Sequence, residues 1–320
     1  MIRVSEPLLI GNEKKYLCEA IDDREVSSGG KFVTRFEEAF AKWSGNKYAV
    51  AVSSGTAALE TAIWSLGIKE INIPTGTIIS CYIAAIRAGA HVSFRDNMPR
   101  QVLTNVMRCH LFGAKDFSLG SVLVDDLSQF WEPYTVQDVG CYSLYANKLI
   151  TSGEGGVVVT NREDVYEKAK SYRNLCHSEE RFVHYDLGYN FRMSNLQAAV
   201  ALAQLEEIDY FIGIKQKNRN LYLHSLPASV KSLFSVKVPW MYLVKTDRYA
   251  GDMVEKMHEL GVECRRFFYP LHRQPCIPYT GSDKFPVADE LWEKAFYLPS
   301  GLTLTEWEIK DVCQKLRSIL

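Results

Sequence analysis

Residues 143–160 read SLYANKLITSGEGGVVVT and combine a lysine, a glycine-rich turn and an apolar run. The runs GCYSLY before Lys148 and VVVT after the turn predict two strands, so the lysine lies in the loop that follows the first of them. A lysine that attacks a carbonyl must lose its proton, which requires partial removal from water or a neighbouring cation. Lys148 is therefore a candidate nucleophile, although a solvated surface lysine is the commoner occupant of such a position.

Strands and helices alternate on the amino-terminal side of this stretch. KYAVAV, INIP and SVLVDD are strand-like, whereas KFVTRFEEAFAKWSG and AALETAIWSLG place apolar residues at helical spacing. Gly45 and Gly67 mark the ends of those two helices. The alternation predicts an α/β fold with a mostly parallel sheet sandwiched by helices.

Two further patterns precede the lysine. Ser54, Gly55 and Thr56 lie between a strand and a helix start, where unpaired amides and the helix dipole favour a phosphate. Ordinary helix capping explains the same residues. Asp125 and Asp126 end the run SVLV, at the edge where open α/β sheets bind ligands, so one carboxylate could hold a cationic ring nitrogen. Both acids could instead cap the next helix.

Together the three features match one cofactor. Pyridoxal 5'-phosphate requires a phosphate cradle, an acid at its pyridine nitrogen and a lysine that forms a Schiff base with its aldehyde. SSGT, the pair Asp125 and Asp126, and Lys148 occur in that order along the chain. We therefore expect this cofactor.

The pattern changes after about residue 215. A long helix is predicted from Asn195, and beyond it the strand-like runs VPWMYLVKT and VECRRFFYP flank the helical DMVEKMHELG. ELWEKAFYLP then leads to a last helix, TEWEIKDVCQKLRSIL. We expect a large domain over residues 1–215 and a small α+β domain over 216–320, with the N-terminal helix as a candidate to pack on the small domain.

Composition narrows the class of partner. The 320 residues include 37 basic and 38 acidic side chains without a basic run, which argues against nucleic acids and anionic membranes. No apolar run approaches the roughly 20 residues of a membrane span, and the first residues lack a signal sequence, so we expect a cytoplasmic protein.

The eight cysteines form no CxxC pair and no Cys/His cluster at metal spacing, which predicts reduced, mostly buried thiols and no metal site.

Five segments resemble one family. SLYANKLITSGEGGVVVTN is similar to the lysine segment of the DegT/DnrJ/EryC1/StrS sugar aminotransferases, SSGTAAL to their phosphate-side turn, and VDDLSQ to their acidic element. YNFRMSNLQAAVALAQLEEID and VECRRFFYPLHRQP resemble a helix start and the carboxyl-terminal substrate segment, and the order is preserved over essentially the whole chain. The resemblance implies a fold-type-I pyridoxal-phosphate enzyme, active as a homodimer with a shared site. It also implies amination of a nucleotide-linked keto sugar, usually with L-glutamate as donor.

The resemblance assigns roles residue by residue. Lys148 would carry the Schiff base, Asp126 would face the ring nitrogen, and Gln129 would lie near the ring oxygen. A branch that dehydrates sugars has histidine at the lysine position, so Lys148 implies transamination. Ser54, Gly55, Thr56 and Ser143 would hold the phosphate, Asn190 would reach in from the other subunit, and Arg266 and His272 would lie near the sugar.

The sequence departs from the family in two places. Ile78 occupies the position of an aromatic ring over the cofactor, and losing aromatic stacking worth about 0.5–1.5 kcal/mol predicts weaker cofactor retention. The connections between Asp96 and Cys109 and between Gly113 and Val122 are also much shorter than in the family. Such trimming could expose a face of the sheet or alter the dimer surface.

Other interpretations follow from the same residues. A trimmed homologue that binds the cofactor as a sensor or structural partner, without turnover, is the alternative that Ile78 and the short connections favour. SGEGG could also be the nucleotide-binding glycine loop of a dehydrogenase. The lack of GxGxxG at the first strand–helix turn argues against that interpretation. His110 is expected to be a structural histidine at a strand end.

Overall fold

Seven strands form the main sheet of the computed structural model, which describes residues 1–97, 102–115, 119–180, 182–233 and 236–320. The sheet order is β1-β7-β6-β5-β4-β2-β3. Only β7 among these strands runs antiparallel to its neighbours, so the sheet is mostly parallel as predicted. In chain order the strands are β1 Tyr48–Val52, β2 Glu70–Pro74, β3 His91–Arg95, β4 Val102–Cys109, β5 Leu119–Asp126, β6 Val139–Ser143 and β7 Gly156–Thr160.

Helices cover both faces of this sheet. Val50 and Val52 of β1 belong to one apolar core, and Ala49 and Ala51 belong to the other, because side chains alternate across a strand. The first core contains α3, α4 and α5, and the second contains α1, α2 and α6. These helices are α1 Glu13–Asp22, α2 Lys31–Ser44, α3 Gly55–Ser65, α4 Ile79–Arg87, α5 Glu163–Arg173 and α6 Asn195–Glu206.

The carboxyl-terminal part forms a smaller α+β unit, as the change of pattern predicted. Its antiparallel sheet has the order β10-β11-β9-β8 and encloses a separate apolar core. AFYL, read from the sequence as leading to the last helix, is instead the inner strand β11. The elements are α7 Ile208–Ser225, β8 Lys231–Ser232, β9 Tyr242–Lys245, α8 Ala250–Glu259, β10 Arg265–Arg266, α9 Pro286–Lys294, β11 Ala295–Leu298 and α10 Glu306–Ser318.

The proposed boundary at residue 215 lies inside a helix. The long helix expected from Asn195 is divided at Glu207 into α6 and α7, and α7 continues through residue 215 to Ser225. Helix α1 packs against α6 of the large unit, whereas Ile2 pairs with Val262 of the small unit. The division into 1–215 and 216–320 stays a prediction.

The two short connections are only partly described. Residues 98–101 and 116–118, on which the expected trimming falls, lie outside the described residues. Asn72 of β2 pairs with Ser93 of β3, so the two side chains lie on the same face of the sheet. Both side chains are accessible to solvent. Polar residues at these positions suit a sheet face that water reaches.

Six of the eight cysteines are buried, as the sequence predicts for most of them, and Cys18 and Cys276 are exposed. Among the described residues, no helix combines the length and the apolar character needed to cross a membrane.

Candidate active site

The carboxyl ends of the parallel strands bring the candidate residues to one edge of the main sheet. Asp126 is the last residue of β5, Ser143 is the last residue of β6, and Ser53 follows β1. Gly156 opens β7, which runs the other way, so it lies at the same edge. Ligands in open α/β sheets bind at this edge.

Helix α3 begins at this edge with a capped first turn. The Ser54 side chain accepts a hydrogen bond from the backbone N–H of Ala57 (3.1 Å), so the capping interpretation is correct for this hydroxyl. The first backbone amides of a helix have no acceptor within the helix, and the helix dipole favours an anion at this end. Thr56, in the same turn, is partly exposed. Capping and phosphate binding are therefore compatible here.

Two glycines allow three chain segments to meet at this turn. A Cβ atom on Gly55 would lie 2.7 Å from Cβ of Ser143, which is closer than real contacts allow. A Cβ atom on Gly156 would collide with the backbone carbonyl of Ser54. The glycines thus hold the Ser143 hydroxyl against the start of α3, and together they form a concave surface with hydroxyl and amide donors.

The two neighbouring acids of β5 face opposite sides of the sheet. Asp125 pairs with His110 Nε2 (2.9 Å) and Arg108 Nε (3.2 Å), so its charge is neutralised inside the fold. Asp126 accepts from the backbone N–H of Ser128 through Oδ1 (3.0 Å) and from Cys81 Sγ through Oδ2 (3.3 Å). These contacts favour a structural role for Asp125 and His110, and Asp126 stays the candidate acid for a ligand.

Lys148 lies in the loop after β6 and is largely enclosed. Burial lowers the pKa of its amine to about 8, and the negative charge of Asp126 opposes part of this shift. A lysine with this pKa is neutral far more often near neutral pH than an ordinary lysine, so it can act as a nucleophile or a base.

Trp240 contacts the catalytic candidate, and no sequence motif predicts this contact. The Nζ atom of Lys148 is 4.6 Å from the centre of the Trp240 ring, and Trp240 Nε1 donates to the backbone carbonyl of Asn147 (2.8 Å). Lys215, a buried lysine of α7, donates through Nζ to the Trp240 carbonyl (2.7 Å). The residue stands in VPWMYLVKT, which was recognised only as a strand-like run.

Ile78 and Gln129 occupy positions consistent with their expected roles. Ile78 is the residue before α4, and 37% of its surface is exposed, which leaves an apolar side chain for a ligand to cover. Gln129 is buried, and its Oε1 accepts from the backbone N–H of Phe112 (2.7 Å). The group that Gln129 can offer to a ligand oxygen is therefore its amide N–H.

His272 reaches the edge of the main sheet from the small unit. Its Nδ1 lies 2.8 Å from the hydroxyl of Thr75, which directly follows β2. Burial lowers the pKa of this histidine, so the ring is neutral near pH 7.

In the described part of the chain, Arg266 and Asn190 contact residues other than Lys148. Arg266 stacks on Trp292 with its guanidinium carbon 3.3 Å from the ring centre, and it donates to Tyr249 Oη (2.9 Å). Asn190 is exposed and pairs with Asn174 through a β-bridge. Roles for both residues at a substrate or a neighbouring subunit stay predictions.

Comparison with known proteins identifies relatives over nearly the full chain. The sequence model of the DegT/DnrJ/EryC1/StrS aminotransferase family matches residues 8–109 and 134–317. GDP-perosamine synthase of Escherichia coli O157:H7 is 32% identical over 359 residues, which covers 98% of this chain and 97% of the relative. GDP-perosamine synthase of Vibrio cholerae is 31% identical over 362 residues, with 99% of each chain covered.

Both alignments are longer than the 320 residues of this chain, so these relatives carry stretches that it lacks. The family match omits residues 110–133, which include the whole of the second short connection, from Gly113 to Val122. The chain is therefore shorter than these relatives within the aligned region.

The fold has close counterparts among solved structures. PseC of Helicobacter pylori, an aminotransferase involved in the biosynthesis of pseudoaminic acid, superimposes with a TM-score of 0.87 at 19% identity and covers 98% of both chains. This likeness confirms the predicted fold class. The family match and the relative of 32% identity agree with the motifs in the sequence. The chain belongs to the DegT/DnrJ/EryC1/StrS aminotransferase family.

Proposed function

We propose that this protein is a pyridoxal-phosphate-dependent aminotransferase that converts a nucleotide-linked keto-deoxysugar into an amino sugar, with L-glutamate as the amino donor. Family membership and the names of its relatives support the reaction class. The observation that carries the proposal is the largely enclosed Lys148, whose pKa is lowered to about 8, near the buried carboxylate of Asp126.

The residues present fit the cofactor. Hydroxyl groups around the start of α3 come from Ser54, Thr56 and Ser143. Gly55 leaves space for a phosphate group, and a Cβ atom at this position would narrow that space. Asp126 would hold the ring nitrogen, Gln129 would donate to the ring oxygen through its amide, and Ile78 would cover one face of the ring. Lys148 would bind the aldehyde carbon.

When bound, the cofactor supplies an electron sink that weakens bonds at the amino-bearing carbon of the substrate. Asp126 keeps the ring nitrogen protonated, because a carboxylate stabilises a nearby positive charge. The Nζ atom of Lys148 removes a proton from the donor's carbon and delivers a proton to the acceptor's carbon in the second half-reaction. The enclosed position of Lys148 limits competing proton exchange with water.

The sugar would lie between the sheet edge and the small unit. His272 is anchored to Thr75 at that edge, and its second ring nitrogen is directed towards Asp289 at 3.5 Å. We assign His272 to the sugar and Arg266 to the same region of the small unit. A lysine at position 148, in place of histidine, favours transamination over dehydration.

We propose a homodimer with Asn190 entering the partner's site. Tyr185 and Leu187, in the segment before Asn190, are 84% and 88% exposed, which is unusual for two large apolar side chains so close together. A second copy of the chain would cover them. A cytoplasmic location belongs to the same proposal.

The proposal is tested with a panel of nucleotide-linked 3-keto and 4-keto sugars, each supplied with L-glutamate and the purified protein and analysed by product mass. Replacement of a keto oxygen by an amino group in one of them supports the proposal. No product from the whole panel, together with cofactor binding that glutamate leaves unchanged, would instead support the non-catalytic sensor.

A further inference from the structure

Two cysteines that are distant in the sequence meet beside Asp126. Cys81 lies in the first turn of α4 and Cys109 ends β4, and their Sγ atoms are 3.9 Å apart. Cys81 Sγ is also 3.3 Å from Asp126 Oδ2. Within the described parts of the chain, Cys81, Cys109 and Asp126 form a group of potential metal ligands, because their ligand atoms all lie within 4.8 Å of one another.

Two of the three separations within this group are close to those of a tetrahedral metal centre, and the third, between Cys109 and Asp126, is within 4.8 Å. With zinc–sulfur bonds of about 2.3 Å, two thiolates on one tetrahedral ion lie about 3.8 Å apart. With a zinc–oxygen bond of about 2.0 Å, a thiolate and a carboxylate oxygen lie about 3.5 Å apart. The observed 3.9 Å and 3.3 Å require only small adjustments of the side chains.

The surroundings select the type of ion. Cys81, Cys109 and Asp126 are 0%, 4% and 5% exposed, so an ion there would have little competition from water. Two sulfur ligands favour Zn²⁺ or a similar soft cation over Mg²⁺ and Ca²⁺, which prefer oxygen ligands. Three protein ligands leave a fourth position for a water molecule.

We propose that the cofactor-free protein binds one soft divalent cation, such as Zn²⁺, between Cys81, Cys109 and Asp126, and that the ion and pyridoxal phosphate exclude each other. Binding deprotonates both thiols, releases two protons to the solvent, and leaves two thiolates and a carboxylate around the ion. The exclusion rests on the proposed function, because it requires Asp126 to serve the cofactor's ring nitrogen. The protein would therefore be inhibited by zinc before it is loaded with cofactor.

Binding of the metal alone tests the site. Cofactor-free protein carrying Cys18→Ser and Cys276→Ser, which removes the two exposed thiols, is dialysed against Zn²⁺ or Co²⁺. We expect one ion per chain and, for Co²⁺, the visible spectrum of a tetrahedral thiolate site. Cys81→Ala and Cys109→Ser should each weaken binding by roughly 100-fold or more, because each removes a ligand.

Cys141→Ser is the matched control, since Cys141 is a buried thiol near Asp126 that is not part of the three-residue group. It should bind the ion as the background protein does. Thermal unfolding of every variant separates loss of a ligand from loss of the fold. No bound ion in the background protein, or equal binding in all variants, overturns the site.

Competition tests the exclusion. Protein first saturated with pyridoxal phosphate, as followed by its absorption, should take up no ion, and added Zn²⁺ should lower the affinity for the cofactor. Undiminished metal binding to the loaded protein overturns the exclusion. If pyridoxal phosphate does not bind at all, the proposed function fails, while the cysteine variants still decide whether the metal site exists.

Discussion

The Nζ atom of Lys148 lies 4.6 Å from the centre of the Trp240 indole ring. Lys148 belongs to the loop after β6 of the main sheet, and Trp240 belongs to the segment that enters β9 of the small unit. The indole N–H donates to the carbonyl of Asn147, so the same side chain holds the loop backbone and encloses the amine. The reactivity of the lysine therefore depends on the packing of the two units.

Trp240→Leu should weaken cofactor binding several-fold near pH 7, because it admits water to Lys148, raises the pKa of the amine towards its ordinary value and so leaves less of the neutral amine that reacts. Trp240→Phe is the matched control, because it keeps an aromatic ring and loses only the hydrogen bond to Asn147. Its affinity should stay closer to that of the wild type. Titration with pyridoxal phosphate measures both variants, and equal affinities for Leu and Phe would contradict a role for the ring.

The rate at which the protein captures pyridoxal phosphate should follow the ionisation of Lys148. Only the neutral amine reacts, and burial lowers its pKa from the ordinary value of 10.5 to about 8. The rate constant should rise with pH, level off above pH 8, and fall about tenfold per pH unit well below it. Stopped-flow absorption between pH 6 and 10 measures this. A midpoint near 10 would mean that the amine is solvated.

Gly55→Ala should disrupt the phosphate cradle. The added Cβ would approach Cβ of Ser143 to 2.7 Å, so the fold should lose about 1–3 kcal/mol of stability and the cofactor should bind more weakly. Gly213→Ala is the control, because that glycine lies inside α7 and its Cβ would meet nothing within 4 Å. It should raise the free energy of unfolding by about 0.5–1 kcal/mol. Urea unfolding and cofactor titration distinguish the two outcomes.

Ile78→Trp should tighten cofactor binding by about 2- to 12-fold, because an aromatic ring stacked on the pyridine contributes about 0.5–1.5 kcal/mol. The side chain is partly exposed at the start of α4, so a larger ring can be accommodated there. The dissociation constant of pyridoxal phosphate measures the effect. An unchanged dissociation constant would mean that residue 78 does not contact the ring of the cofactor.

The sequence predicted those parts of the site that short motifs specify. Lys148, Asp126 and the turn around Gly55 follow strands whose parallel direction forces them to one edge, so the strand pattern was sufficient to predict their meeting. Choosing between Asp125 and Asp126 needed the family resemblance, and the structure adds the reason in the pairing of Asp125 with His110.

Long-range packing explains what was missed. Trp240 and Cys109 approach the site through the docking of the small unit and through the sheet order, and neither contact has a local sequence pattern. Cysteine spacing could not indicate the metal site proposed above, because Cys81 and Cys109 are 28 residues apart and converge only in the folded sheet. The strand β11 was missed because AFYL directly continues a helical pattern.

The most direct test of the central claim is the half-reaction with L-glutamate, followed by the visible absorption of the bound cofactor and by the appearance of 2-oxoglutarate. The wild-type protein should produce one equivalent of 2-oxoglutarate per site with loss of the visible band. Lys148→Ala should produce 2-oxoglutarate far more slowly than the wild type. Thermal unfolding should show that this variant is still folded. Wild-type rates in Lys148→Ala would contradict the assignment of Lys148 as the residue that carries the proton in transamination.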